Sequence, residues 1–100
     1  MSKAIKRILE IQALLPGTVR AEAFVKLCQE QADLLHAEEA HMSDEAFVNL
    51  AEQMLQQNFD RLNELLYVKV ATSAEAMLIA PTHRRYKHLA RKVHFKVFGN

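Results

Sequence analysis

Long stretches without a helix breaker dominate this sequence, because only two glycines and two prolines occur among its 100 residues. Those two residue types supply most tight turns, so the chain has little material for β-hairpins or for glycine-rich loops that cradle phosphates. Half of the residues are hydrophobic and a quarter are charged, a balance typical of folded rather than disordered chains. We therefore expect one all-α domain over residues 1–100, a bundle of four to five helices.

Hydroxyl side chains mark where the first helices begin, since a helix N-terminus leaves backbone N–H groups that a serine or threonine oxygen can accept. The predicted helices span residues 3–15, 19–40 and 44–69, after Ser2, Thr18 and Ser43. The second and third helices are expected to form an antiparallel pair. The hydrophobic spacing places four residues in the core: Leu27, Leu50, Met54 and Leu62.

The last part of the chain carries signals for a further helix boundary and for a change of structure. Thr72 and Glu75 have the spacing of a capping box, and Pro81 is expected to end the short helix that they open. Thr82 can begin a final helix. After Val93 the apolar residues alternate, a pattern that predicts a short extended tail over the last six residues. The prediction is thus a helical core over 1–80 and a basic segment over 81–100.

Charge is unevenly distributed along the chain, although the formal net charge is only +1. Residues 21–80 contain eleven Asp and Glu against three Lys and Arg, and residues 81–100 contain six Lys and Arg and no acid. Such a segment suits a polyanion or an acidic protein surface. An alternative of equal weight is that the segment packs against the acidic helices of its own chain.

Four side chains of the basic segment share one helix face, because Arg84, Lys87, His88 and Arg91 are spaced i, i+3, i+4 and i+7. The segment contains no Asn or Gln to recognise adenine, and no helix-turn-helix pattern precedes it. Phenylalanines in the tail are expected to supply an apolar anchor for a partner. The candidate partner-binding residues are Arg84, Arg85, Tyr86, Lys87, His88, Arg91, Lys92, Phe95, Lys96 and Phe98.

Catalytic and metal chemistry find no support in the sequence. His36 and His41 are five residues apart, whereas a zinc pair on one helix needs a spacing of four. Cys28 lies on an apolar stripe without a neighbouring base. We expect no enzyme activity, no cofactor, no metal and no catalytic residue. A single Cys favours a reducing, cytoplasmic setting, and no apolar run is long enough to span a membrane.

The chain resembles the anti-RecBCD accessory proteins of lambdoid temperate phages, in particular the second such protein. The resemblance covers the opening Met-Ser-Lys-Ala-Ile-Lys-Arg, the 100-residue length, the helical character and the basic end. Phage anti-CRISPR proteins have a similar character. The first resemblance implies a non-enzymatic protein that binds the host RecBCD helicase-nuclease, protects DNA ends and favours phage recombination. The alternative function is non-specific DNA binding by the same basic helix.

The bond between Ala80 and Pro81 is a candidate switch, because it is expected to join the short apolar helix to the basic one. Isomerisation of such a bond takes tens of seconds and would reorient the basic face. A host prolyl isomerase is then a candidate partner. The trans form is the default, and a plain helix break is the alternative interpretation.

Overall fold

Residues 2–99 are described by a computed structural model, which contains four α-helices. The helices are α1 (Lys3–Leu14), α2 (Ala21–Glu38), α3 (Asp44–Tyr67) and α4 (Ser73–Phe98). Short 3-10 turns follow α1 at Leu15–Gly17 and α2 at Glu39–His41. Residues 2–99 contain no strand, so the predicted all-α class and number of helices are confirmed. None of these helices combines the length and the apolar composition needed to cross a bilayer.

Three of the predicted helix caps are confirmed. The hydroxyls of Ser2, Ser43 and Thr72 each accept the N–H of the residue three positions later, at 3.1 Å. The prediction for Thr18 is wrong: its Oγ1 donates to the carbonyl of Leu14 at 2.8 Å. This bond closes the turn after α1, and α2 begins three residues later without a side-chain cap.

The most extensive helix pairings are α3 with α4 and α1 with α2, and α2 also packs against α4. The predicted pair of second and third helices is only a minor contact. Because α4 contacts both α2 and α3, its orientation is fixed on two sides, which leaves one side of the helix toward solvent.

The core takes side chains from every helix. Leu50, Met54 and Leu62 are buried as predicted, but Leu27 is only partly buried. The buried side of α2 consists of other residues: Phe24, Val25, Cys28, Gln31, Ala32 and Leu35.

The predicted helix break at Pro81 is wrong, because α4 continues through this residue. Proline has no N–H to donate to the carbonyl four residues earlier, here that of Met77. Both residues are exposed, so water can satisfy that carbonyl and the helix tolerates the missing bond. No cis peptide bond occurs within residues 2–99.

The predicted extended tail is also wrong, because α4 runs to Phe98. Val93 is buried in the core, and the Lys96 ammonium reaches Glu39 in the turn after α2 and Asp44 on α3. Positions three residues apart, such as 93 and 96, both turn toward the rest of the bundle when the segment is helical. Gly99 ends the helix with φ +74°, and its N–H donates to the carbonyl of Phe95 at 2.6 Å. This left-handed conformation favours glycine. Asn100 lies outside the described residues.

Candidate partner-binding surface on α4

The solvent-exposed side of α4, which we term the outer face, combines basic and aromatic side chains. Its members are all exposed and lie on one side of the helix: Arg84, Lys87, His88, Arg91, Phe95 and Phe98. From the first to the last of these the helix rises about 21 Å. Phe95 is 60% exposed and Phe98 is 66% exposed. The outer face is therefore basic toward the middle of α4 and apolar at its C-terminal end.

The cations of the outer face have no acidic partner within residues 2–99. Arg84, Lys87 and Arg91 take part in none of the ion pairs found there. A shallow, open depression of about 960 Å³ borders this face, with His88, Arg91 and Phe95 among its lining residues. Cationic groups beside an exposed apolar surface are a typical composition for a docking site.

The other basic side chains of the segment form an ion-paired flank, which consists of Arg85, Lys92 and Lys96. Lys92 contacts Glu39 at 2.6 Å, and Lys96 contacts Glu39 at 3.5 Å and Asp44 at 2.8 Å. The pKa of Glu39 is lowered, chiefly by the hydrogen bond from Lys92. For Lys96 the pKa is raised, chiefly by its hydrogen bond to Asp44.

The third member of the flank, Arg85, lies 3.3 Å from Asp33 on α2. The flank thus faces acidic residues of the same chain. This agrees with the alternative interpretation, in which the basic segment packs against the acidic helices of its own chain. That interpretation holds for the flank alone, and the outer face retains its charge toward solvent.

The prediction that Tyr86 contacts a partner is wrong, because its side chain is completely buried. Its hydroxyl accepts a hydrogen bond from Asn58 Nδ2 at 3.2 Å and donates one to Gln31 Oε1 at 3.3 Å. Burial raises the pKa of Tyr86 well above its ordinary value. Tyr86 therefore ties α4 to α2 and α3, and it positions the outer face without taking part in it.

Cys28 is also fully buried, and burial raises the pKa of its thiol to about 12. A thiol with that pKa carries almost no thiolate at neutral pH, so this side chain fills core volume.

His83 occupies a buried position between α3 and α4, only 4% exposed. Its Nε2 hydrogen-bonds Asn63 Oδ1, and its ring packs 5.4 Å from that of Phe59 and 5.3 Å from that of Tyr67. Burial, helped by the nearby Lys87, lowers its pKa. This packing role of His83 was not among the sequence predictions.

Residues 2–99 bring no three His, Cys, Asp or Glu side chains together as a metal site would require. A small groove between α2 and α4 encloses about 40 Å³, far below the several hundred Å³ of a typical small-molecule pocket. The outer face of α4 is therefore the strongest candidate site in the described part of the chain.

Two sequence signals could have located this face more accurately. Arg85, Lys92 and Lys96 are spaced i, i+7 and i+11, which separates them from the outer face on a continuous helix. A glycine at position 99 is a typical helix-ending residue.

No family model, curated protein or solved structure matches this chain. The candidate site depends on the geometry of the chain alone.

Proposed function

We propose that this protein is a non-enzymatic binding module that docks on an acidic protein surface through the outer face of α4. The observation that carries the proposal is that unpaired cations and two exposed phenylalanines lie together on one exposed side of the helix. Packing against α2 and α3 holds α4 on two sides, so the face lies on the side of the helix that is left to solvent.

The aromatic end of the outer face favours a protein partner over DNA. An exposed ion pair contributes only about 0.2–1 kcal/mol, whereas full burial of a phenylalanine side chain contributes about 1.5–3 kcal/mol. Phe95 and Phe98 are more than half exposed, and an apolar cleft in a protein would bury both. The phosphate backbone of a DNA duplex offers no equivalent cleft.

For the partner we propose a host DNA-processing enzyme of the RecBCD helicase-nuclease type. The resemblance to the phage anti-RecBCD proteins supports this choice, and it implies action in the host cytoplasm. Binding would alter the activity of the nuclease, protect DNA ends and favour phage recombination. A prolyl isomerase is not part of the proposal, because Pro81 lies inside a continuous helix and joins no two helices.

Direct DNA binding is the second candidate function, which the run of exposed cations at positions 84, 87 and 91 supports. If it relied on these three contacts, the logarithm of the binding constant would fall with the logarithm of salt at a slope of about −3. A protein interface that buries Phe95 and Phe98 would retain a salt-resistant part.

A salt titration of binding separates the two functions. Fluorescently labelled protein at nanomolar concentration is mixed with purified RecBCD, and separately with a short duplex DNA of random sequence, and anisotropy is recorded. The proposal predicts saturable binding to RecBCD that persists in part at high salt. Binding to the duplex alone, or binding to RecBCD that disappears completely with salt, would contradict it. The variant F95A/F98A tests the anchor, and it should lose the salt-resistant part.

A further inference from the structure

The exposed side of α3 is as acidic as the outer face of α4 is basic. Three exposed carboxylates lie along it, those of Glu45, Glu52 and Asp60. Within residues 2–99 none of the three forms an ion pair. The same helix contacts α4 through its buried side, so two helices that pack together display opposite charge on their exposed sides.

The spacing of the two sets of charges matches. Glu45 and Glu52 are seven residues apart on α3, and Arg84 and Arg91 are seven residues apart on α4. Both pairs lie within continuous helices, and seven residues correspond to about 10.5 Å of rise in each. Two arginines of one molecule can therefore meet two glutamates of another without distorting either helix.

The net charge permits such an encounter. With a formal net charge of only +1, two copies repel each other weakly, while the separated acidic and basic surfaces orient them. At low ionic strength, opposite charges on separate faces of a nearly neutral protein favour ion pairs between copies.

We propose that the chain self-associates, with the basic part of the outer face of α4, from Arg84 to Arg91, in one copy docked on the acidic side of α3 in a second copy. Arg84 and Arg91 pair with the two glutamates in this contact. The association covers the surface that the proposed function uses, so it opposes partner binding when the protein is concentrated. The inference itself does not depend on the proposed function, and its test contains no partner.

Sedimentation equilibrium of the whole chain measures the association directly. At about 10 mM salt, where screening is weak, the average mass should rise with concentration above the 11.4 kDa of the monomer. At about 1 M salt, where charges are screened within a few ångströms, it should return to the monomer value. A wild-type protein that stays monomeric at low salt at every concentration would overturn the proposal.

Charge reversal identifies the surfaces. R84E/R91E and E45R/E52R should each be monomeric at low salt, and an equimolar mixture of the two should associate again. The matched control K3E/K6E alters two exposed lysines of α1 and changes the net charge as much as R84E/R91E does, yet it should associate like wild type.

Two results of the reversal experiment would overturn the proposal: persistent association of either reversed variant, or a mixture that remains monomeric. Circular dichroism checks that each variant is helical. The neutral variants R84Q/R91Q and E45Q/E52Q provide the same test should a reversal impair folding, and each should weaken the association at least tenfold.

Discussion

Replacing Tyr86 by phenylalanine isolates the contribution of a single buried hydroxyl to the position of α4. The ring is fully buried, and phenylalanine keeps its volume, so the change opens no large cavity. What is lost is the pair of hydrogen bonds, from Asn58 Nδ2 at 3.2 Å and to Gln31 Oε1 at 3.3 Å.

The magnitude follows from what the two partners keep. Gln31 keeps the two bonds that its Nε2 donates, to the carbonyl of Ile8 and to Gln12 Oε1, but its buried Oε1 loses its donor. The side chain of Asn58 is left with no hydrogen bond, because its Oδ1 has no partner among residues 2–99. A hydrogen bond contributes about 0.5–1.5 kcal/mol, and a buried unsatisfied group costs about 1–3 kcal/mol. The bond from Asn58 is at the long end of the normal N–H···O range, and the bond to Gln31 is longer than the normal O–H···O range. We therefore expect Tyr86→Phe to lower the free energy of unfolding by about 2 kcal/mol.

Urea denaturation followed by far-ultraviolet circular dichroism measures this loss. In thermal unfolding the same change corresponds to a lowering of Tm by about 8–16 °C for a domain of this size. Asn58→Leu combined with Tyr86→Phe should cost less than the sum of the single changes, with a coupling energy of about 0.5–3 kcal/mol. A Tyr86→Phe variant within about 0.5 kcal/mol of wild type would refute the reasoning, because the hydroxyl would then not hold α4 in place.

Three further changes test the packing and the pH response of the fold. Leu50→Ala should lower the free energy of unfolding by about 2–5 kcal/mol in urea denaturation, and a loss below this range would mean that the buried side of α3 is misassigned. Pro81→Ala should raise it by about 1–3 kcal/mol, because alanine restores the N–H that the carbonyl of Met77 lacks and suits a helix interior better; a less stable variant would show that the proline ring itself is needed. Lowering the pH below the ordinary histidine pKa of 6.5 should destabilise the fold, because the pKa of His83 is lowered in it and the unfolded chain takes up a proton that the folded chain does not. The loss of stability begins as the pH falls through the histidine pKa of the unfolded chain, and it is complete below the pKa of His83 in the folded chain. His83→Gln should flatten that part of the stability profile, and an unchanged slope would contradict the assignment.

The fold class was predictable because it depends on local information. The scarcity of glycine and proline excluded most β architectures, and the hydroxyl caps at Ser2, Ser43 and Thr72 act within three residues of themselves. The error at Pro81 arose because the cost of a proline in a helix depends on the exposure of the carbonyl that it leaves unpaired, which is a property of the folded molecule.

The candidate site was predictable only in part. Arg84 and Arg85 are neighbours in sequence, yet one faces solvent and the other lies beside Asp33 on α2. Which of them is neutralised depends on how α4 is rotated against α2, a contact between residues 52 positions apart in the sequence. Tyr86 was misplaced for the same reason, since one residue corresponds to a rotation of about 100°.

The most direct test of the central claim is the dissociation constant of R84E/R91E for purified RecBCD, compared with wild type and with the matched control K3E/K6E. Both variants change the net charge equally, and only the first alters the outer face of α4. Juxtaposed like charges cost several kcal/mol, so we predict that R84E/R91E binds about 100-fold more weakly while its helical circular dichroism is unchanged. The control should bind within a factor of about three of wild type, which is less than 1 kcal/mol. Wild-type affinity in a folded R84E/R91E variant would show that the outer face of α4 does not bind this partner.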